Sequence, residues 1–494
     1  MHILAELAQS LQANGSRNAL CIDKRFYTYH ELAVAVSGIR QKLSGAPDAG
    51  SVVGIVANDD LPTYAAIIAI WLEGKTYVPL NPDTPVDRNR SILGQAGIRV
   101  LLDSSETPVL AGEVQHIGTR ELPAGSIDLS VPELSSDSFA YILFTSGSTG
   151  LPKGVPITHA NLSGFVRAFD AIGLEIGADD RCLQMFELTF DLSVMSYLVP
   201  FLKGACVYTI PKRAIKFSYI FELIDEEKLT VALMVPSILH YLRPYFDEID
   251  APWMRYSLFC GEALPLDLAE EWSQCLPAAR VLNVYGPTED TIFCTTYELQ
   301  RGGGSKHHQG IMSIGTAMLG TITRIVDEAG NEVAAGQEGE LCLGGVQLTP
   351  GYLNNEAKNK ETFFMAADGT RLYRTGDLCY ADAEGDIFYI GRLDFQVKIQ
   401  GFRVELAEIE FHAKAFLGKY NVIALAFDHE SGNMELGLVV EAKEQDTDGL
   451  RAHLKSQLPA YMIPSQIHFE ETFPLNVNGK FDRKELKKKF LQYG

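Results

Sequence analysis

The chain has 494 residues, 46% apolar and 21% charged, a globular composition that excludes disorder and, at about 100–200 residues per domain, predicts two to four domains. With 42 Lys and Arg against 63 Asp and Glu, the net charge is −21, which speaks against nonspecific nucleic-acid binding because phosphate neutralisation needs clustered cations. The apolar run Ala65–Leu72 falls far short of the ~18 residues a membrane helix needs, the N-terminus lacks a basic region and a small-residue cleavage site, and the eight cysteines form neither a CxxC pair nor a zinc spacing. A cytoplasmic protein with no membrane insertion and no disulfide framework is therefore expected.

In chain order, MHILAELAQSL reads as an amphipathic helix, and Leu32, Val36, Ile39 and Leu43 recur at helical period across Glu31–Leu43. A buried-strand run at Val52–Ala57, a helix around Pro62–Leu72, a strand at Thr76–Leu80, a helix near Val86–Gln95 and a strand at Val100–Asp103 follow. This is βαβαβ grammar, which implies parallel strands covered on both faces. The grammar returns with a strand at Thr230–Val235, a helix from Pro236, a strand at Tyr256–Cys260, a helix from Pro265 and a strand at Val281–Tyr285. From about Ile311 short strands alternate with Gly-rich turns, which favours a small antiparallel barrel or sheet. After Arg392, strands (VIALAF, ELGLVV) mix with helices at Glu405–Phe416 and Asp482–Phe490 in a compact α+β unit.

Chemistry concentrates in a few segments. Phe144–Val155 (FTSGSTGLPKGV) follows an apolar strand and gathers glycines, hydroxyls and Lys153. Glycines let successive N–H groups converge on an anion, and hydroxyls and a lysine add donors and charge. It is not a Walker A loop, because Lys153 stands between Pro152 and Gly154; the bland alternative is a surface loop. Asn283–Glu289 (NVYGPTE) closes a predicted strand, the place where doubly wound sheets bind ligands. Tyr285 can stack on a purine, Thr288 can donate a hydrogen bond and Glu289 can hold Mg²⁺ against phosphate oxygens, although YGPT alone is also a turn signal. In Tyr373–Asp377 (YRTGD), Asp377 can chelate the vicinal hydroxyls of a ribose, and Arg392 can reach the same sugar; a turn cap and a solvated cation are the alternatives.

Taken in order, TSGSTGLPKG, YGPTE, GELCLGG, YRTGD, GRLDFQVKIQGFRVE and NGKFDR closely resemble the adenylate-forming superfamily, specifically the amino-acid adenylation enzymes, across Glu31 to Arg483. The resemblance implies an α/β fold: a large N-terminal AMP-binding domain of doubly wound sheets over 1–393, with a β-rich, barrel-like subdomain at about 311–393. A small mobile α+β domain over 394–494 would complete it, with the site in the cleft between them and a hinge at Asp394. It implies ATP and Mg²⁺. The nucleotide would be bound by Thr145, Ser146, Gly147, Ser148, Thr149, Gly150, Gly261, Glu262, Asn283, Val284, Tyr285, Gly286, Pro287, Thr288, Asp377, Tyr389, Arg392 and Lys480, and the metal by Glu289 and Thr145. Lys480, Glu289 and Lys153 would be catalytic: Lys480 bridging the substrate carboxylate and α-phosphate, Lys153 at the β/γ end.

Thr189–Met195 (TFDLSVM) bears on the substrate. In the amino-acid-activating branch the Asp of this segment faces the substrate's α-ammonium, and Asp191 matches it; a cation in an apolar pocket needs such a partner. The alternative is a helix N-cap. Counting from the motifs places Leu192, Met195, Leu233, Leu258, Cys260, Val284, Ile292 and Phe293 around the substrate, with Lys480 at its carboxylate end. Such a lining suits a small aliphatic amino acid such as alanine. TFDLSVM and Leu258–Glu262 look most like the stand-alone D-alanine–carrier protein ligases, with Cys260 matching their pocket cysteine. The chain ends shortly after NGKFDR, so a free-standing enzyme is expected, handing its product to a separate phosphopantetheine carrier protein or to CoA. An acyl- or aryl-acid CoA ligase of the same superfamily, or an adenylation enzyme for a different amino acid, is the alternative.

Overall fold

The computed structural model describes residues 3–46, 50–147, 150–443, 446–475 and 481–493, and contacts group the chain into two units. The first is Met1–Pro82, Leu93–Phe144 and Gly154–Leu393; the second is Asp83–Ile92, Thr145–Lys153 and Asp394–Gly494. The fold is α/β.

The first unit is built on three sheets. In a six-stranded sheet, Gln115–Gly118, Val100–Asp103, Val52–Val56, Thr76–Leu80 and Phe139–Thr145 run parallel in that order, with Lys153–Thr158 at the edge. Thr76–Leu80 and Val100–Asp103 are buried at every position, as strands covered on both faces must be. The helix Leu61–Leu72 is apolar all round and buried from Thr63 onward; Asp60 caps it by accepting the Thr63 N–H (2.9 Å), and Pro62 sits in its first turn.

The second sheet has nine strands. Six run parallel in the order Arg280–Tyr285, Tyr256–Phe259, Val231–Met234, Arg181–Gln184, Cys206–Thr209 and Asn18–Ile22, with antiparallel strands at both edges. From Arg181–Gln184 the chain steps to one side for Cys206–Thr209 and then to the other for Val231–Met234. That reversal makes a topological switch point, outside whose carboxyl ends a crevice forms. Registers align Leu233 with Leu258 and Leu282, and Met234 with Phe259 and Asn283, so the residues that leave these strands emerge side by side.

The third sheet is a five-stranded antiparallel half-barrel of Thr321–Val326, Gly339–Gly345, Arg371–Ala381, Phe363–Met365 and Ile387–Arg392. All eight cysteines lie in the first unit as buried thiols.

The second unit opens with a hairpin, Gln396–Ile399 to Phe402–Glu405, closed by Gln400 (φ 51°) and Gly401 (φ 81°). Two left-handed residues are what a two-residue turn needs to match strand twist, and Gly401 adopts its φ without penalty. The helix Leu406–Leu417 follows, then a three-stranded sheet (Val422–Asp428, Met434–Glu441, Gln466–Glu470) and the helices Thr447–Gln457 and Arg483–Tyr493. Ile409, Ala413, Leu438, Leu450 and Leu454 form its core. Among the described residues no helix is long and apolar enough to cross a membrane.

Candidate active site

In the first unit, chemistry-bearing residues follow the carboxyl ends of parallel strands of the nine-stranded sheet. Asp191 comes after Arg181–Gln184, Cys260 to Glu262 after Tyr256–Phe259, and Gly286 to Glu289 after Arg280–Tyr285. Phe190 takes the N-cap place of the helix Asp191–Lys203 and Asp191 is its first residue, so Asp191 is not the cap. It sits where the helix dipole favours an anion, and it is 7% exposed. Its charge also helps raise the pKa values of the buried hydroxyls of Tyr141 and Tyr77, after burial itself, so the carboxylate lies near a tyrosine floor. Within that floor the Tyr77 and Tyr197 hydroxyls are 2.8 Å apart. Leu192, Met195, Leu233, Leu258, Cys260, Val284 and Ile292 are buried in one continuous apolar cluster. Phe293 belongs to it as well, but its ring packs edge-on against Phe165 with centroids 5.0 Å apart, which turns it toward the helix His159–Ala171.

Around Tyr285 the backbone doubles back tightly. A Cβ on Gly286 would meet Phe293 Cα at 2.4 Å, so only glycine fits. Pro287 introduces a single turn, Thr288–Asp290, in which Glu289 is fully buried. Tyr352 Oη donates to Glu289 Oε1 at 2.5 Å, and the Thr349 N–H donates to the Glu289 carbonyl at 2.8 Å. The Tyr285 hydroxyl donates to Asp377 Oδ2, which joins the aromatic platform to the carboxylate. Burial, and then the Asp377 charge, pushes that hydroxyl's pKa well up. Asp377 and Arg392 are cross-strand partners in the half-barrel, and Arg392 Nη1 donates to Asp377 Oδ1 at 2.9 Å and to the Thr375 carbonyl at 2.7 Å. A carboxylate offers about four acceptor positions, so Asp377 can still take two ribose hydroxyls. Tyr389 lies on the same strand as Arg392.

Other expected nucleotide residues have structural duties. Asn283 donates its amide to the carbonyls of Ser313 (2.9 Å) and Met312 (3.3 Å). Glu262 Oε2 accepts the Ser237 N–H (2.8 Å) in the first turn of the helix Pro236–Leu242.

In the second unit, Ser146, Gly147, Gly150 and Lys153 meet the hairpin and helix after Asp394. Ser146 Oγ donates to the Arg403 carbonyl (2.8 Å), and the Gly147 N–H donates to Glu408 Oε2 (3.1 Å). Lys153 Nζ stands 3.5 Å from Glu405 Oε1, and a Cβ on Gly150 would strike the Phe411 ring. Glu408 is fully buried and ion-paired with Arg88. Asp394 Oδ1 accepts the Gln396 N–H at 3.0 Å. Thr145 Oγ1 is buried with no hydrogen-bond partner among the described residues. Ser148, Thr149 and Lys480 lie outside the described residues. As a donor type, the buried Glu289 carboxylate suits Mg²⁺, a hard cation that takes oxygen ligands, and the Thr145 hydroxyl is by itself of the same oxygen kind.

Sequence reading missed Gln347, Thr349 and Tyr352, which brace the Glu289 turn, and Arg88 and Glu408. A glutamine and an aromatic in the otherwise apolar and small stretch Gly344–Tyr352 were the available signal.

A family model described as AMP-binding enzyme matches residues 7–353. Among curated relatives, tyrocidine synthase 3 of Brevibacillus parabrevis is 32% identical over 95% of this chain, which spans only 7% of that protein. The D-alanine–D-alanyl carrier protein ligase of Bacillus licheniformis is 32% identical over 85% of this chain and 86% of its own length. Among solved structures, the Vibrio cholerae adenylation domain AlmE, in complex with glycyl-adenosine-5'-phosphate, superposes with a TM-score of 0.87 at 28% identity, covering 99% of this chain and 98% of that one.

Proposed function

Since the chain belongs to the AMP-binding enzyme family and is an amino-acid adenylating ligase, we propose that it activates a small aliphatic amino acid, with alanine, including D-alanine, the first candidate. The aminoacyl group would then pass to the phosphopantetheine thiol of a separate carrier protein. The observation that carries this reading is Asp191, a carboxylate 7% exposed at the start of its helix, directly before Leu192, which shares an apolar cluster with Met195, Cys260, Val284 and Ile292. A buried carboxylate beside apolar walls suits an ammonium and is a liability for a fatty or aromatic acid. Large side chains such as Met195 and Ile292, buried in that cluster, favour a small substrate side chain. One relative is named for D-alanine and a D-alanyl carrier protein, and one structural neighbour holds a glycyl adenylate; both fit a small substrate.

In the first half-reaction a carboxylate oxygen of the amino acid attacks the α-phosphorus of ATP, and the bond to pyrophosphate breaks. Asp191 holds the ammonium, Tyr285 supplies a stacking face for the base, and Asp377, fixed by Arg392 and Tyr285, takes the ribose. Most of the barrier is repulsion between anions, so orientation and charge neutralisation dominate. Ser146, Gly147 and Lys153 are assigned to phosphate oxygens, and Lys480 to the carboxylate and α-phosphate as a flexible point charge. Mg²⁺, with Glu289 and Thr145 as its protein donors, would neutralise phosphate charge when bound. In the second half-reaction the thiol sulfur attacks the acyl carbonyl, AMP leaves and the thiol proton passes to solvent, with Asp394 as the proposed hinge between the two chemistries.

Exchange of labelled pyrophosphate into ATP tests the reading. A panel of glycine, D- and L-alanine, serine, valine, and fatty and aromatic acids should give exchange with the small amino acids alone. Asp191→Ala should lower amino-acid-dependent exchange at least a hundredfold while ATP binding stays within about threefold, since a buried charge left without its partner costs several kcal/mol. Exchange that responds only to amine-free acids would establish the CoA-ligase alternative.

A further inference from the structure

The turn after Glu289 holds an unfavourable conformation. Thr291 (φ 52°) and Ile292 (φ 76°) are consecutive, β-branched and left-handed, a backbone region such residues rarely enter and occupy only when their surroundings impose it. Spanning this turn is Gln347, fully buried and more than fifty positions away. Its Nε2 donates to the carbonyls of Asp290 (3.1 Å), Thr291 (3.3 Å) and Phe293 (3.0 Å), bracketing Ile292 on both sides. Its own carbonyl accepts the Thr291 hydroxyl at 2.5 Å. The Gln347 Oε1 is buried without a hydrogen-bond partner among the described residues. A buried acceptor left unpaired works against stability, so the side chain's contribution lies in its donors.

We propose that Gln347 is a positioning residue that sets substrate size: by clamping the carbonyls on both sides of Ile292 it holds that side chain against the amino-acid pocket. This rests on the reading that Ile292, buried in one cluster with Met195, Cys260 and Val284, lines that pocket. A relaxed turn would return Ile292 to ordinary backbone angles and swing its side chain away, which enlarges the pocket and loosens its grip on the smallest substrates. The Gln347 amide makes none of its hydrogen bonds to Tyr285 or Asp377, the residues assigned to the nucleotide.

The test is pyrophosphate exchange by the full chain with glycine, alanine, valine and leucine, together with melting temperature and the KM for ATP. Gln347→Met keeps the length and removes the donors. It should raise KM for the preferred small amino acid about tenfold, move KM for ATP several-fold less than that even though Gln347 also braces the Glu289 turn, and raise the ratio of kcat/KM for valine over alanine at least fivefold. Ile292→Gly, which removes the wall and suits the left-handed angle, should shift the ranking in the same direction, and Gln347→Met added to it should shift the ranking no further. Thr291→Val, which deletes one bond of the clamp, should give a smaller shift and decides the matter if Gln347→Met does not fold. A uniform loss for all amino acids and ATP alike in the Gln347 and Thr291 variants, or an unchanged ranking, overturns the inference. If Ile292→Gly alters the ranking and the clamp variants do not, the pocket reading stands and the clamp role falls. If the parent shows no amino-acid-dependent exchange, the functional reading itself falls.

Discussion

Asp59 carries the clearest acid–base signature outside the site. Burial raises its carboxyl from the usual value to about 6, with the Asp60 charge adding to the rise and the hydrogen bond from Tyr64 opposing it. A carboxyl raised in the folded state keeps its proton while the unfolded chain loses one near pH 4, so stability falls as pH climbs from about 4 to 6 and the loss is complete above that range. Asp59→Asn keeps an acceptor for the Tyr64 hydroxyl and removes the charge. The variant should match the parent near pH 3.5 and exceed it in denaturant resistance at pH 7.5; equal differences at both pH values would show that Asp59 does not titrate in this way. Residues of this kind were hidden in the sequence. A short motif singles out Asp191 in the sequence, whereas Gln347, Tyr352 and Glu408 find partners 56, 63 and 320 positions away. No local pattern encodes such pairings, since the fold alone supplies the proximity.

Elements were legible where periodicity is long or the apolar run unbroken. The strands Thr76–Leu80 and Val100–Asp103 and the helices Leu61–Leu72 and Leu406–Leu417 fall within a residue or so of where the pattern puts them. The hairpin Asn18–Ile22 to Arg25–Thr28 had no such signal, because its turn is Asp23-Lys24, both with positive φ (49° and 62°), rather than an Asn-Gly or Asp-Gly pair. The strands Arg181–Gln184 and Cys206–Thr209 were missed although Val100–Asp103 is equally short, because Arg181, Gln184 and Thr209 cut short the apolar run that marks the latter. The helix Leu406–Leu417 has a further consequence. Its Glu408 accepts the Gly147 amide, the group proposed for a phosphate, and depends on Arg88 for charge balance, the two side chains being 0% and 8% exposed. Arg88→Ala strands a buried carboxylate and should cost about 3–5 kcal/mol, read as a lower denaturation midpoint. Adding Glu408→Gln to it should restore most of the loss. A single variant as stable as the parent would show that the pair carries no such weight.

At the scale of the whole molecule, a net charge of −21 repels an anionic nucleotide before any specific contact forms. Raising monovalent salt from about 10 to 150 mM shortens the Debye length from roughly 30 to 8 Å. Stopped-flow measurement should therefore find ATP association faster at the higher salt, while association of a zwitterionic amino acid stays flat. A slower ATP on-rate would mean that local cations outweigh the overall field. The distribution of sulfur offers a different handle on the same molecule. With every thiol sequestered inside one of the two units, a maleimide dye can react only as often as that unit breathes open, and it is blind to motions of the other. Labelling speed is thus a ready-made clock for internal opening, one that bound substrates should slow.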